Sequence, residues 1–148
     1  MPVLFSRACE YALRALFEMA RRPEQESWTV QELASQTDTP APFLAKTFQS
    51  LVKGEILIST KGRRGGFAFA RAPQKISLME IVELIDGPAL AHNCALGLPT
   101  CSNDDPCPFH AQWKTIRDSI EAALHHQTLK QSVSRTTSRR NTARRSTN

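Results

Sequence analysis

The sequence predicts a mainly α-helical chain with one small β-hairpin and a long helix near its C-terminal end. Three observations carry that prediction. Apolar residues recur every three or four positions over residues 4–20, 30–52 and 77–87. Only two short runs, "EILIST" and "FAFAR", have the composition of strands, and the glycine-rich "KGRRGG" lies between them. Helical spacing returns after residue 107 and holds to about residue 130.

The first helix is expected from Leu4 to Ala20, with Leu4, Ala8, Tyr11, Ala12, Ala15, Leu16 and Met19 as its core stripe. "RRPEQESW" is a charged turn broken by Pro23. In "TVQELASQ", Thr29 and Glu32 stand at capping-box spacing, and Val30, Leu33 and Ala34 point inward. "TDTPAP" breaks the pattern before "PFLAKTFQSLVKGE", where Pro42 suits a first helical turn. Phe43, Leu44, Phe48, Leu51 and Val52 make one face of that helix; Ala45, Lys46, Gln49 and Lys53 make the other.

Two short helices joined by a tight turn, the second with a cationic outer face, read as a helix-turn-helix. The hairpin that follows carries Lys61, Arg63 and Arg64 at its tip, so the unit reads as a winged helix. In such a unit the second helix reaches base edges in the major groove, while the wing's cations neutralise phosphates or enter the minor groove. Thr39, Ala45, Lys46, Gln49, Lys53, Lys61, Arg63 and Arg64 are the candidate DNA-contacting residues, and a double-stranded operator is the expected partner. A basic turn or a lysine-bearing helix alone is more often a solvated surface. Both in this order are not.

"SLMEIVELIDG" is a further helix, with Ser77 and Glu80 as a second capping box and Gly87 as its stop. Beyond the cysteine-bearing loop, Trp113, Ile116, Ile120, Ala123, Leu124 and Gln127 recur at helical spacing. A long helix of this kind is expected to pair with its twin, since paired helix-turn-helix units read paired half-sites. The expected domains are residues 1–87 as winged helix-turn-helix, 88–107 as cysteine loop, 108–130 as dimerisation helix and 131–148 as a disordered basic tail.

The charge is uneven. Six of the 19 basic residues lie at or beyond Lys130, where no acid occurs, leaving 13 against 14 acids in the rest. That tail is a solubilising extension or a polycation adding sequence-blind affinity for nucleic acid. No apolar run is long enough to span a bilayer, and the N-terminus is amphipathic rather than a signal peptide, so a cytoplasmic location with reduced thiols is expected. The acids, histidines and cysteines form no nucleophile–base or open-zinc pattern. His92, His125 and His126 lack partners, and an enzyme is not expected.

"NCALGLPTCSNDDPCPFH" holds Cys94, Cys101 and Cys107 at C-x6-C-x5-C spacing, with His110 three residues beyond. Thiolate ligates both zinc and iron–sulfur clusters. Structural zinc favours close pairs, which are absent, so wide spacing on a proline-rich loop favours a cluster, with zinc or unliganded reactive thiols still open. Cys9 lies apart and reads as a partly buried helix residue.

The stretch "FLAKTFQSLVKGEILISTKGRRGGFAFARAPQKISLMEIVELIDG", followed by three cysteines and a helix, resembles the Rrf2 family of winged-helix regulators. The likeness runs from Leu4 to about Leu129. It implies a homodimeric transcription factor, usually a repressor, holding a two-iron or four-iron cluster whose loss or oxidation changes DNA affinity. Nitric oxide, redox state or iron supply would be the signal. Cys94, Cys101 and Cys107 match the cluster cysteines. The fourth ligand would be His110, as in IscR-like members, or Glu10 from the partner subunit, as in NsrR-like members; the match of "EYALR" favours Glu10. Ala45 and Lys46 replace a different polar pair of IscR-like members, and Lys61 stands where arginine is common, so the operator does not carry over. The alternative is a cluster-free regulator whose cysteines act as a thiol redox sensor or hold zinc.

Overall fold

Ser6 opens the first helix, α1 (Arg7–Arg21), by accepting the amide of Cys9 at 3.1 Å. In this computed structural model, which describes residues 4–99 and 101–134, the cap sets the start three residues later than periodicity suggests. Leu4 lies outside the helix and is exposed, contrary to its expected place in the core. Ala12, Ala15, Leu16 and Met19 are buried as expected, joined by Cys9 and Leu13.

The second helix, α2 (Val30–Thr37), begins at the Thr29–Glu32 capping box, both halves of which form. Asp38, at φ 53°, ends it in the left-handed region. After Thr39 and Pro40 the third helix, α3 (Ala41–Lys53), buries Leu44, Phe48 and Leu51 against α1 and α2. Phe43, expected on the same face, is instead exposed and meets the Tyr11 ring edge-on at 5.6 Å. It lies in the first turn of α3, where Tyr11 of α1 covers only part of its ring.

Strands β1 (Leu57–Thr60) and β2 (Gly66–Phe69) pair antiparallel, Leu57 opposite Phe69 and Thr60 opposite Gly66. Trp28 adds a short third rung: its amide donates to the Phe67 carbonyl at 2.9 Å, and the Phe67 amide to the Trp28 carbonyl at 2.7 Å. The wing is thereby tied to the entrance of α2. Gly66 is obligatory at this crossing. Its φ is 154°, and a Cβ there would lie 2.4 Å from the Trp28 carbonyl oxygen.

A 3-10 turn (Pro73–Lys75) leads to α4 (Leu78–Asp86), opened by the Ser77–Glu80 capping box. Then come a short α5 (Ala89–His92), the cysteine loop, and α6 (His110–His126). The single helix expected over residues 108–130 is two. Gln127 turns extended, Thr128 and Gln131 exchange capping bonds at 3.0 and 3.2 Å, and α7 (Leu129–Ser134) begins. The chain returns to the domain at this break. The Leu129 amide donates to Ile76 at 3.0 Å, the Leu78 amide to Gln127 at 2.9 Å, and Leu129 and Val133 are buried, with α7 packed on α1.

Residues 131–134, expected to belong to the tail, lie in α7, and the rest of the expected tail, residues 135–148, lies outside the described residues. Among the described residues no helix is long and apolar enough to cross a membrane.

Candidate nucleic-acid interface and cysteine site

Lys46, Gln49 and Lys53 are all exposed on α3, and Lys61, Arg63 and Arg64 are all exposed at the hairpin tip. Among the described residues none of these cations is paired with an acid. A desolvation penalty for breaking internal ion pairs is thus absent when they meet phosphate. Ala45 and Gln49 line a groove of about 440 Å³ with Gln31 and Pro42 on one side and Gly66 and Phe67 on the other. The outer face of α3 and the wing therefore border one concavity. Thr39 differs from the rest of the expected set. It is buried, and its hydroxyl lies 3.0 Å from that of Thr37 within the turn between α2 and α3.

The loop brings its donors together in pairs. Cys94 Sγ lies 3.8 Å from Cys107 Sγ, and Cys101 Sγ lies 3.3 Å from His110 Nδ1. All three thiols are half-buried, whereas His110 is only 7% exposed. The backbone amides of Leu96 and Leu98, aided by the Cys107 thiol and Gly97, outweigh desolvation and hold the Cys94 thiol below its usual range. Among the described residues no three His, Cys, Asp or Glu side chains group around one point as a single metal ion would require. Glu10 sits on the first turn of α1, half-buried, 4.0 Å from Arg7.

Several contacts that sequence reasoning missed fix this loop. Asn103 Oδ1 lies 3.0 Å from His110 Nε2. The Trp113 indole donates to the Asn93 carbonyl at 2.7 Å, holding the loop's entrance against α6. Asp86, the last residue of α4, accepts the Ser6 amide at 2.9 Å and the Ser6 hydroxyl, which links the end of α4 to the cap of α1. Ser6 had a legible cue as a capping residue. Asn103, Trp113–Asn93 and Asp86 depend on long-range contacts that no local spacing encodes.

The long helix has two distinct faces. His110, Arg117 and Leu124, seven residues apart, are buried against the domain. Phe109, Trp113, Ile116, Ile120 and Ala123 alternate at four- and three-residue spacing on an adjoining face, where Phe109 is 41% and Ile116 47% exposed while Trp113 is half-buried and Ile120 packs partly on the core. That is the spacing of a coiled-coil seam.

A helix-turn-helix followed by a hairpin with a cationic tip defines a winged-helix DNA-binding regulator. The family model described as "Rrf2: Iron-dependent Transcriptional regulator" matches residues 5–135. The chain belongs to the Rrf2 family. It is 36% identical over 131 residues to an Aquifex aeolicus protein named as an HTH-type transcriptional regulator, covering 86% of this chain and 90% of that one. Against the transcriptional regulator IscR of Escherichia coli O1:K1 / APEC it is 24% identical over 119 residues, covering 80% and 73%. Among solved structures, CymR, the global cysteine regulator of B. subtilis, superposes with a TM-score of 0.76 at 20% identity, covering 92% and 98% of the two chains. IscR of T. potens does so with a TM-score of 0.72 at 21% identity, covering 91% and 88%. These structural likenesses bear on the fold.

Proposed function

We propose that this chain is a homodimeric, cytoplasmic transcriptional repressor whose grip on its operator is set by an iron–sulfur cluster in the cysteine loop. The pairing of donors at the base of α6 carries this reading. Two sulfurs on one tetrahedral metal, each at about 2.3 Å, stand about 3.8 Å apart, which is the separation of Cys94 and Cys107. Cys101 and His110 make a second pair. Two donors at each of two points suit a two-iron cluster, in which inorganic sulfide completes each iron, better than a single zinc. The proximity of His110 to Cys101 favours it as fourth ligand; a four-iron cluster using Glu10 of the partner subunit is the alternative.

A bound cluster would supply a cross-link sensitive to nitric oxide, oxidants or iron supply. The chain's own residues do the rest. Lys46 and Lys53 on α3 and Lys61, Arg63 and Arg64 on the wing bind phosphate, while Ala45 and Gln49 face the bases. Asp86 holds the end of α4 to the cap of α1, Trp113 holds the loop's entrance to α6, and His110 holds its end there. The open seam of α6 takes the second copy. A tenfold change in affinity needs only about 1.4 kcal/mol, well within reach of a shift in half-site spacing.

A second reading has its own support. The proximity of Cys94 to Cys107 and the lowered Cys94 thiol suit a direct thiol sensor, and the fold is shared with CymR.

The test is an anaerobic absorption spectrum with iron and acid-labile sulfide assays, followed by operator binding with and without the cluster. Visible bands with both elements, and a Cys101→Ala variant that loses them together with signal-dependent binding, are the expected results. A colourless protein free of both after reconstitution would leave the thiol reading. Arg64→Ala should weaken DNA binding and lower the slope of log affinity against log salt by about 1.

A further inference from the structure

We infer that Asn103 is a positioning residue that sets the His110 ring so that Nδ1 faces the cysteine site. The inference rests on the reading of His110 as the fourth cluster ligand. Asn103 Oδ1 can only accept a hydrogen bond, so His110 Nε2, 3.0 Å away, must carry the proton. In a neutral ring that leaves the lone pair on Nδ1, and Nδ1 is the atom 3.3 Å from Cys101 Sγ.

The ring has few other choices. It is 7% exposed, at the first residue of α6, and its own backbone amide donates to the Cys107 carbonyl at 3.0 Å. Backbone, outer nitrogen and inner nitrogen are each held by a different part of the same loop. The loop around Asn103 is braced in turn, with the Asp105 amide donating to Ser102 Oγ at 3.2 Å. Histidine ligands commonly give their second nitrogen to such an oxygen, which fixes tautomer and orientation and strengthens the ligand. Asn103 fills that place from seven residues upstream, in the segment between the second and third cysteines.

Two readouts test this, one without metal. In reduced, metal-free protein, long-range proton–nitrogen correlation spectra should show His110 protonated at Nε2. Asn103→Ala should shift the ring towards the mixture found in free imidazole, and Asn103→Asp, which keeps an acceptor oxygen, should restore it. In cluster-loaded protein, Asn103→Ala should lose iron to a chelator about 10–100-fold faster, with Asn103→Asp close to wild type. Equal melting temperatures of the three metal-free proteins would separate this role from loop stability. Unchanged tautomer and unchanged iron loss in Asn103→Ala would overturn the inference alone. Wild-type protein that takes up neither iron nor sulfide would overturn the cluster reading and this role with it.

Discussion

Cys9 and the three loop cysteines carry the same thiol in opposite surroundings. Cys9 is fully buried on α1, and burial, reinforced by the charges of Asp86 and Glu10, pushes its thiol up to about 12. The loop thiols are half-buried, and Cys94 is held below its usual range. Native, reduced, metal-free protein treated with iodoacetamide at pH 8 should therefore be alkylated at Cys94, Cys101 and Cys107. Cys9 should react only in denaturant, as read by peptide mapping; labelling of Cys9 at the rate of the loop thiols would contradict the burial. The separation of Cys9 from the other three was legible in the sequence, because it falls within a helical period and they do not. The partnership of His110 with Cys101 and Asn103 was not. It depends on the path of a loop without periodicity, in which residues seven and nine positions from His110 come into contact. The sequence favoured Glu10 through its neighbours, whereas the proposal of His110 rests on the placement of donors in space.

Helix ends were legible where a cap was spelled out. Thr29–Glu32 and Ser77–Glu80 both form the reciprocal bonds their spacing predicts. Thr128–Gln131 does the same work at α7, yet the apolar spacing running through it suggested one helix. There a local cap together with the Leu129–Ile76 bond prevailed over periodicity. Glu80 does more than close a cap. Burial opposes its ionisation, but Arg71, 2.8 Å away, and the Ser77 amide and hydroxyl outweigh that and keep its pKa below the ordinary value. A carboxylate with a depressed folded-state pKa stabilises above its unfolded pKa, and that contribution is lost as pH falls through the folded value. Glu80→Ala should cost about 1 kcal/mol at pH 7, a fall of about 3 °C in Tm. The gap from wild type should narrow as pH drops below 4.5, the ordinary value for this side chain. Calorimetry across that range checks it, and a gap independent of pH would assign the effect to the cap alone.

At the scale of the molecule, the order of elements from α1 to the wing follows from sequence because each has its own periodicity or turn chemistry. The return of α7 to α1 does not, since it rests on the burial of Leu129 and Val133 by residues more than a hundred positions away. The exposed α6 seam predicts that Ile116→Lys leaves the fold intact, as judged by circular dichroism and melting. It should convert the proposed dimer to monomer in light scattering and weaken binding to paired half-sites; an unchanged dimer would place the interface elsewhere, and a monomeric wild type would overturn the proposed pairing. The two-ended attachment of α6 also decides what kind of movement a signal could produce. Its C-terminal end is stitched to the domain by Gln127 and Leu129, its body packs on α4 and α5, and its N-terminal end is tied to the cysteine loop. Release at the loop would leave its far end, about 25 Å from Gln127 at 1.5 Å per residue, free to slide over α4 and α5 while the Gln127 end stays fixed.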